Sequence, residues 1–577
     1  MSSGLYLRLA WGSLRRNRRV YVPYMVMSAV TICLFYDLRM LTAELAKKSA
    51  TVGGMLSFGT WIIGIFSLIF IFYTNSFITK RRKKEFGIYN ILGMEKRHIA
   101  RVIFLENLMS GLIGLAGGLA AGVVISKLLA LLLMKLVGYA PDFPLKLDTY
   151  AAGVTAGVFC GIFLLTFLKN ALSVYRSNPM ELLSSSKAGE REPKVRWALT
   201  VIGVVSLALG YLMAVRIKDP VTAMLLFFVA VMLVIIGTYC LFTSISIAVL
   251  KGLKKNKRYY YKPNHFTVVS GMLYRMKQNA VGLANICILS TMVLVTVSTT
   301  VCLYAGVGSV VEDVCPRDVQ VYFSASDEKD DAKLADIAEK VIADCGEKAE
   351  NIVVARYYPG TISSKQQYST MREVVLAVGN TGEVYGTATD TLPTVYLGMD
   401  IAGGVDDRED FCMKFAEAAD EDIFNGSVSF ERGMYDIAYE YHASVMEIYG
   451  SLFFLGIFLG ILFLAVTVMI IYYKQVSEGY DDSARFKIMR SVGMSGAEVK
   501  RSIRSQVMTV FFLPIAVACI HLAFAFPMLN GILNGLVMAD ARLFGLCTAA
   551  TAVIFAAVYA VVYGVTARTY YNIVNQE

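Results

Sequence analysis

Residues 81–101 read RRKKEFGIYNILGMEKRHIAR, a block of cations, a short apolar stretch and a glycine set between two long apolar runs. Phe86, Tyr89 and Asn90 fall at i, i+3 and i+4, and Ile88, Ile91 and Leu92 form a neighbouring stripe, so the spacing predicts a short amphipathic helix over 86–94. Gly93 supplies its stop, because helices commonly end on a left-handed residue that glycine adopts at no steric cost. The unit returns at 483–505 as SARFKIMRSVGMSGAEVKRSIRS, where Phe486, Ile488, Gly493, Met494, Arg501 and Ile503 meet Phe86, Ile88, Gly93, Met94, Arg101 and Ile103. Basic flanks of membrane spans recur without special cause, but they do not require a shared F-x-I-x4-G-M. A fainter echo joins GSLRRNR (12–18) to GMLYRMK (271–277), each ahead of a long apolar run. The common order of the two echoes predicts an internal duplication.

What surrounds the unit sets the fold class. The chain has 577 residues, 56% hydrophobic and only 17% charged, which is more apolar surface than a water-soluble fold can bury. Crossing about 30 Å of hydrocarbon takes roughly 20 apolar residues in a helix. Ten such runs lie near 20–40, 55–79, 102–133, 150–172, 197–216, 222–250, 280–308, 446–473, 507–530 and 543–567. The expected fold is an all-α polytopic membrane protein with ten transmembrane helices and a small α/β extracellular domain between helices 7 and 8. The first 24 residues place cations ahead of a full-length span and lack a small-residue cleavage site, so the first span is expected to be retained. With the N-terminus inside, about 35 Lys and Arg fall in cytoplasmic segments and about 8 beside the short outer loops, which puts both termini in the cytoplasm.

The insert, 309–445, holds 27 acids against 11 bases in a protein whose net charge is +10. Long domains translocate whatever their charge, so the topology places it outside. Alternation predicts strands at 318–323, 351–358, 372–378 and 394–398, and helical spacing predicts helices at 330–346 and 408–420. From about Arg432 a helical pattern runs unbroken into the eighth span, a rigid joint between domain and membrane. The chain divides into 1–308, with spans 1–7 and the first repeat (about 55–172), then 309–445, then 446–577 with spans 8–10 and the second repeat. Three cysteines fall in the insert, Cys315, Cys345 and Cys412, which allows at most one bridge there.

Reactive chemistry is not expected. No G-x-x-x-x-G-K-[ST], G-x-S-x-G or H-E-x-x-H occurs, and the four histidines stand apart with no metal-ligand spacing. The protein is therefore not expected to be an enzyme, to hold a metal or to carry a cofactor of its own. The basic, aromatic run 251–265 lies between two spans, which favours lipid headgroups or a partner over nucleic acid. His521, inside a span, is either a functional group or a neutral histidine bonded to the next helix. Lys127 lies about 39 Å along its helix from Arg101, near the outer face, where it meets a lipid pyrophosphate or snorkels to the headgroups. Asp37 and Arg39 read as an outer-interface pair or as part of a lipid-facing groove.

Ten spans, one extracellular domain between spans seven and eight, and paired EFGIYNILGM and RFKIMRSVGM segments resemble the FtsX-like ABC transporter permeases, and more closely the Bce-type permeases of bacterial antimicrobial-peptide resistance. SVYRSNPMELL (173–183) also resembles that family's pattern. The resemblance implies a cytosolic ABC ATPase, two copies of which bind the ATP and dock on coupling helices. Here those would comprise Phe86, Gly87, Ile88, Tyr89, Gly93 and Met94, with Phe486, Ile488, Met489, Gly493 and Met494. It implies mechanotransmission in a bacterial cell membrane, freeing pyrophosphate-bearing cell-wall lipid from peptide antibiotics such as bacitracin, often beside a membrane histidine kinase. An FtsX-like regulator of a wall hydrolase and a lipoprotein-releasing permease are the alternatives, and both usually have fewer spans. The insert is shorter than the family's usual extracellular domain.

Overall fold

The computed structural model describes residues 3–140, 147–176, 196–261, 263–324, 331–357, 371, 384–385, 394–402, 411–415, 433–491, 495–537 and 541–575. Its helices of eight residues or more are α1 (Ser3–Arg16), α2 (Arg18–Leu45), α3 (Ala50–Ile91), α4 (Lys96–Val137), α5 (Thr149–Arg176), α6 (Trp197–Arg216), α7 (Pro220–Lys255), α8 (Pro263–Ala305), α9 (Val307–Val314), α10 (Asp331–Asp344), α11 (Ala438–Ser491), α12 (Gly496–Val537) and α13 (Ala541–Asn575). Ten of them, α2 to α8 and α11 to α13, are long and apolar enough to cross a membrane, at the places the apolar runs predict. Hydrocarbon offers backbone groups no partner, so each crossing must close its own hydrogen bonds as a helix. Local chemistry sets the ends. Asp219 accepts from the Thr222 amide at 2.8 Å with Pro220 at the first helical position of α7, and Gly138 closes α4 at φ 89.

The helices form two sets with the same internal packing. Helix α2 packs on α3, α4 and α5, and α8 packs on α11, α12 and α13, while the α6–α7 hairpin lies against α8 and α12. Helix α11 joins the sets through α2, α3 and α4. Apolar side chains gain little by leaving lipid for one another, so close backbone approach must supply the contact energy. On α4, Gly114, Gly118 and Gly122 repeat every four residues along the face that meets Ser28, Ile32 and Tyr36 of α2. A Cβ on Gly118 would lie 2.6 Å from Ile32 Cβ and 2.7 Å from the Ala29 carbonyl oxygen. On α11, Gly450 lets the helix touch the α4 backbone, where a Cβ would come within 2.4 Å of the Leu136 carbonyl oxygen.

The insert folds around a sheet of β1 (Val319–Ser324), β2 (Ala349–Tyr357), β3 (Val384–Tyr385), β4 (Thr394–Ile401) and β5 (Gly433–Ile437), in the order β3-β2-β4-β1-β5. Pairing is antiparallel except between β2 and β3. Val319, Val321, Val395, Leu397 and Met399 point to one face, against Val341 and Ile342 of α10 and Phe411 and Phe415. The opposite face carries Tyr322, Tyr357 and Tyr396, and Tyr396 donates to Gln320 Oε1 at 2.8 Å. Beside a bulge in β2, Asn351 takes φ 52 and its side chain donates to Asp400. None of Cys315, Cys345 and Cys412 is in a disulfide.

The expected strands at 318–323, 351–358 and 394–398 are β1, β2 and β4, and the helix at 330–346 is α10. Residues 372–378 lie outside the described residues, as do most of 408–420. Two expectations need correction. Residues 433–437, read as the start of the long helix, form β5, because pairing with β1 and burial of Ile437 in the sheet core outweigh local helical spacing. The helix then runs from Ala438 to Ser491 without a break, which keeps the rigid joint. Nor is 86–94 a separate helix: α3 continues from its span to Ile91, since Lys, Arg and Glu extend a helix readily and Gly87 alone does not stop it.

Gly118→Leu should force α2 from α4 and cost about 1–3 kcal/mol, read as a lower thermal midpoint of the detergent-solubilised protein. Gly157→Ala, with nothing within 4 Å of the added carbon, should leave that midpoint unchanged or raise it. A second expectation concerns Asp436 on β5. Burial pushes its carboxyl above the ordinary range, and the Tyr322 hydroxyl offsets this only in part. A raised acid contributes stability that is present at low pH and lost as pH rises through its folded value. The sheet domain should therefore resist limited proteolysis better as pH falls from neutral, and Asp436→Asn should flatten that trend and protect the domain at pH 7.

Candidate functional site

The turn between α3 and α4 ends the bundle opposite the sheet domain. Gly93 sits at φ 89, the Met94 amide donates to the Tyr89 carbonyl at 2.9 Å, and the Gly93 amide donates to Asn90 at 3.1 Å. This double bond pattern is the Schellman stop that the glycine predicts. The stop divides the tip's apolar side chains into two groups. Phe86, only 2% exposed, packs with Ile99, Ile103 and Val174, and Gly87 is buried beside it. Tyr89 and Met94 lean on the same cluster. Ile88, Ile91 and Leu92 face outward, Leu92 at 75% exposure. Sequence spacing does not separate these roles: Phe86 holds the tip together, and the neighbouring stripe is what the tip presents.

The tip stands on a buried ion pair. Arg82, one of five consecutive cations, turns inward, and its Nη1 donates to Glu106 Oε2 on α4 and to the Tyr21 hydroxyl on α2 at 3.0 Å. Its Nε donates to Glu85 at 2.9 Å, and its guanidinium lies 4.9 Å over the Phe86 ring. Tyr21 also donates to Glu106 at 3.3 Å. Burial works against the charge of Arg82, but Tyr21 and Glu106 outweigh it, and the guanidinium is held protonated. Farther into the bundle, Asn75 Nδ2 donates to Asn107 Oδ1 at 2.7 Å, and Asn170 of α5 donates to Asn75 Oδ1. A small cavity lined by Tyr21, Asn75, Arg82, Phe86, Glu106 and Asn107 lies between the ion pair and the amides. Nearer the tip, Lys96 donates to the Tyr175 carbonyl at 2.9 Å. Four helices thus converge on one charged joint.

The joint was not anticipated. Glu106 in an apolar run and the amides of Asn75, Asn107 and Asn170 inside spans were the available signals, since polar groups there are seldom idle. In the second unit α11 is helical through Phe486, Ile488 and Met489, and Ile488 is exposed. The side chains of Phe486 and Met489 lie outside the described residues, as do Gly493 and Met494. On the same helix Asp482 is buried and accepts from Tyr570 of α13, so Asp482 occupies the repeat position of Arg82 with the opposite charge.

The remaining candidates do not gather. Asp37 is fully buried and accepts from Cys33 Sγ at 3.3 Å, while Arg39 lies 5.4 Å over the Tyr150 ring. Two residues apart on a helix, they point in different directions and form no pair. Lys127 is exposed on α4. His521 bonds with the Tyr211 hydroxyl at 2.7 Å and with Thr238 Oγ1 at 3.0 Å, tying α12 to α6 and α7. Among the described residues no cluster of His, Cys, Asp and Glu could hold a metal ion.

Residues 57–179 match the family described as FtsX-like permease C-terminal, a stretch that runs from early α3 past α5 and includes the tip and its joint. Over 90% of its length the chain is 23% identical to the ABC transporter permease protein YxdM of Bacillus subtilis, covering 93% of that protein. It is also 23% identical to the bacitracin export permease protein BceB of the same organism, over 89% of this chain and 92% of that one. With BceB of Halalkalibacterium halodurans the identity is 22% over the same shares. The chain carries an FtsX-like permease domain and is a multi-pass membrane permease related to the Bce-type ABC transporter permeases.

Removing one member of the buried pair strands the other charge, so Arg82→Leu or Glu106→Leu alone should cost about 3–5 kcal/mol. The double variant should recover much of that loss, and thermal midpoints of the purified single and double variants measure the difference.

Proposed function

We propose that this permease couples ATP hydrolysis by a separate cytosolic ABC ATPase to movement of the sheet domain, and that the α3–α4 tip is one of two places where the ATPase docks. The observation that carries the reading is the division of the tip: Ile88, Ile91 and Leu92 are offered outward while Phe86, Arg82 and Glu106 fix their base to three membrane helices. Apolar anchors at helical spacing suit insertion into a groove. A push on such a tip passes into α2 and α4 through the ion pair instead of bending a loop. The second docking place would be the end of α11, where Ile488 is exposed. The same helix reaches the sheet domain, so force received at one end arrives at the other along unbroken hydrogen bonds.

The basic end of the bundle, with both termini and both tips, faces the cytoplasm in this reading, and the sheet domain lies outside. The ATPase, in two copies, binds the ATP; the permease holds no nucleotide and is not itself an enzyme. Two relatives are named for bacitracin export, which supports a role against peptide antibiotics that act on pyrophosphate-bearing cell-wall lipids. A membrane histidine kinase would connect this work to sensing.

Ile91→Asp combined with Leu92→Asp should abolish co-purification of the ATPase while the permease still elutes as a single folded species, because both positions are exposed. Full ATPase capture by that variant would reject the tip as a docking element.

A further inference from the structure

Helix α1 has a duty that neither the joint nor the tip requires. It stands against the start of α4 through Tyr6, Ala10 and Leu14, with the Tyr6 ring 5.9 Å from that of His98 and the Arg101 guanidinium 5.9 Å from its centre. At 100° per residue, Leu7 and Trp11 lie one turn apart in the sector beside this buried face, and Arg8 and Arg15 share the next sector. Leu7 is 47% and Trp11 56% exposed, a tryptophan and a leucine offered by a helix whose other face is already packed.

Two further observations say what covers this face. Between Ser3 and Arg19 there is no acid, while Arg8, Arg15, Arg16 and Arg18 are all exposed, and none of the four forms an ion pair among the described residues. Asn17 is the single non-helical residue before α2, which crosses the membrane from Arg18. Helix α1 is thus held at the level of the bilayer surface by its own chain. Tryptophan favours that depth, and arginines beside it meet the phosphates of anionic headgroups.

We infer that α1 is an anionic-phospholipid site on the leaflet that α2 enters, with Leu7 and Trp11 in the acyl boundary and Arg8, Arg15, Arg16 and Arg18 on headgroup phosphates. Helices of this composition lie in the interface and respond to lipid charge. Because the packed face of α1 grips α4 at His98 and Arg101, a few residues from the α3–α4 turn, headgroup charge would bear on the region beside the tip.

The test uses the intact permease with Trp61→Phe and Trp197→Phe, so that Trp11 is the sole tryptophan, in nanodiscs containing brominated phosphatidylglycerol or brominated phosphatidylcholine. Trp11 should be quenched by both and about two-fold more by the anionic lipid, and Arg8→Gln with Arg15→Gln and Arg16→Gln should remove that preference. A variant keeping only Trp61, which is 72% exposed on the α3 span, is the positive control. An unquenched Trp11 beside a quenched Trp61 would overturn lipid contact, and a protein partner would then own the face. Equal quenching by the two lipids would overturn recognition of charge.

Discussion

Hydrocarbon gives apolar side chains almost nothing for meeting one another, and every other feature of this bundle answers that constraint. Helices that cannot be driven together by water must be held by close backbone contact and by polar groups that have no better partner. The α2–α4 seam uses both. Gly114, Gly118 and Gly122 bring the backbones together over two turns of the crossing, and at one end Tyr21 and Arg82 meet on Glu106. The two devices depend on each other. A guanidinium at that depth is tolerable only where a carboxylate is already within reach, and the glycine contacts are what bring the carboxylate there.

The resulting division of labour at the tip is what the proposed coupling rests on. A loop between two spans would normally move independently of them. Here the last turns of α3 are a continuation of the span, stopped by Gly93 and fixed at the base by one cation that touches two other helices. The region matching the FtsX-like permease family contains the tip, the ion pair and the amide cluster together. The residue that packs the tip and the residue it presents thus belong to a single stretch, Phe86 buried among Ile99, Ile103 and Val174 and Leu92 facing outward.

Much of this was legible in the sequence where the signal is local. Span positions follow from the length of apolar runs, Gly93 from its place after a helical stripe, and β1, β2 and β4 from alternation. What escaped was decided by partners remote in the chain. Residues 433–437 have helical spacing but become a strand because β1 offers an open edge. Arg82 looks like any other cation in RRKK until Glu106 and Tyr21 arrive from two other helices. Asp37 and Arg39 seemed a pair because they are close in number, yet the helix turns them apart. Phe86, prominent in the repeated unit, stands with Ile88 among the expected coupling residues, and local spacing does not tell that it packs inside the tip while Ile88 faces out.

Helix α11 has 54 residues, which at 1.5 Å each makes a rod of about 80 Å, more than twice the thickness of the hydrocarbon it crosses. In the proposed coupling a rod of that length would act as a lever. Its middle is pinned where Gly456 and Gly460 press on Thr300 and Val297 of α8, and its ends are the second tip and β5. A tilt of about 5° about such a fulcrum swings each end by about 3–4 Å, comparable to the spacing between neighbouring strands. The sheet domain would then shift as one body through a distance that matters to whatever rests on it, while no single contact inside the membrane moves by more than a fraction of that.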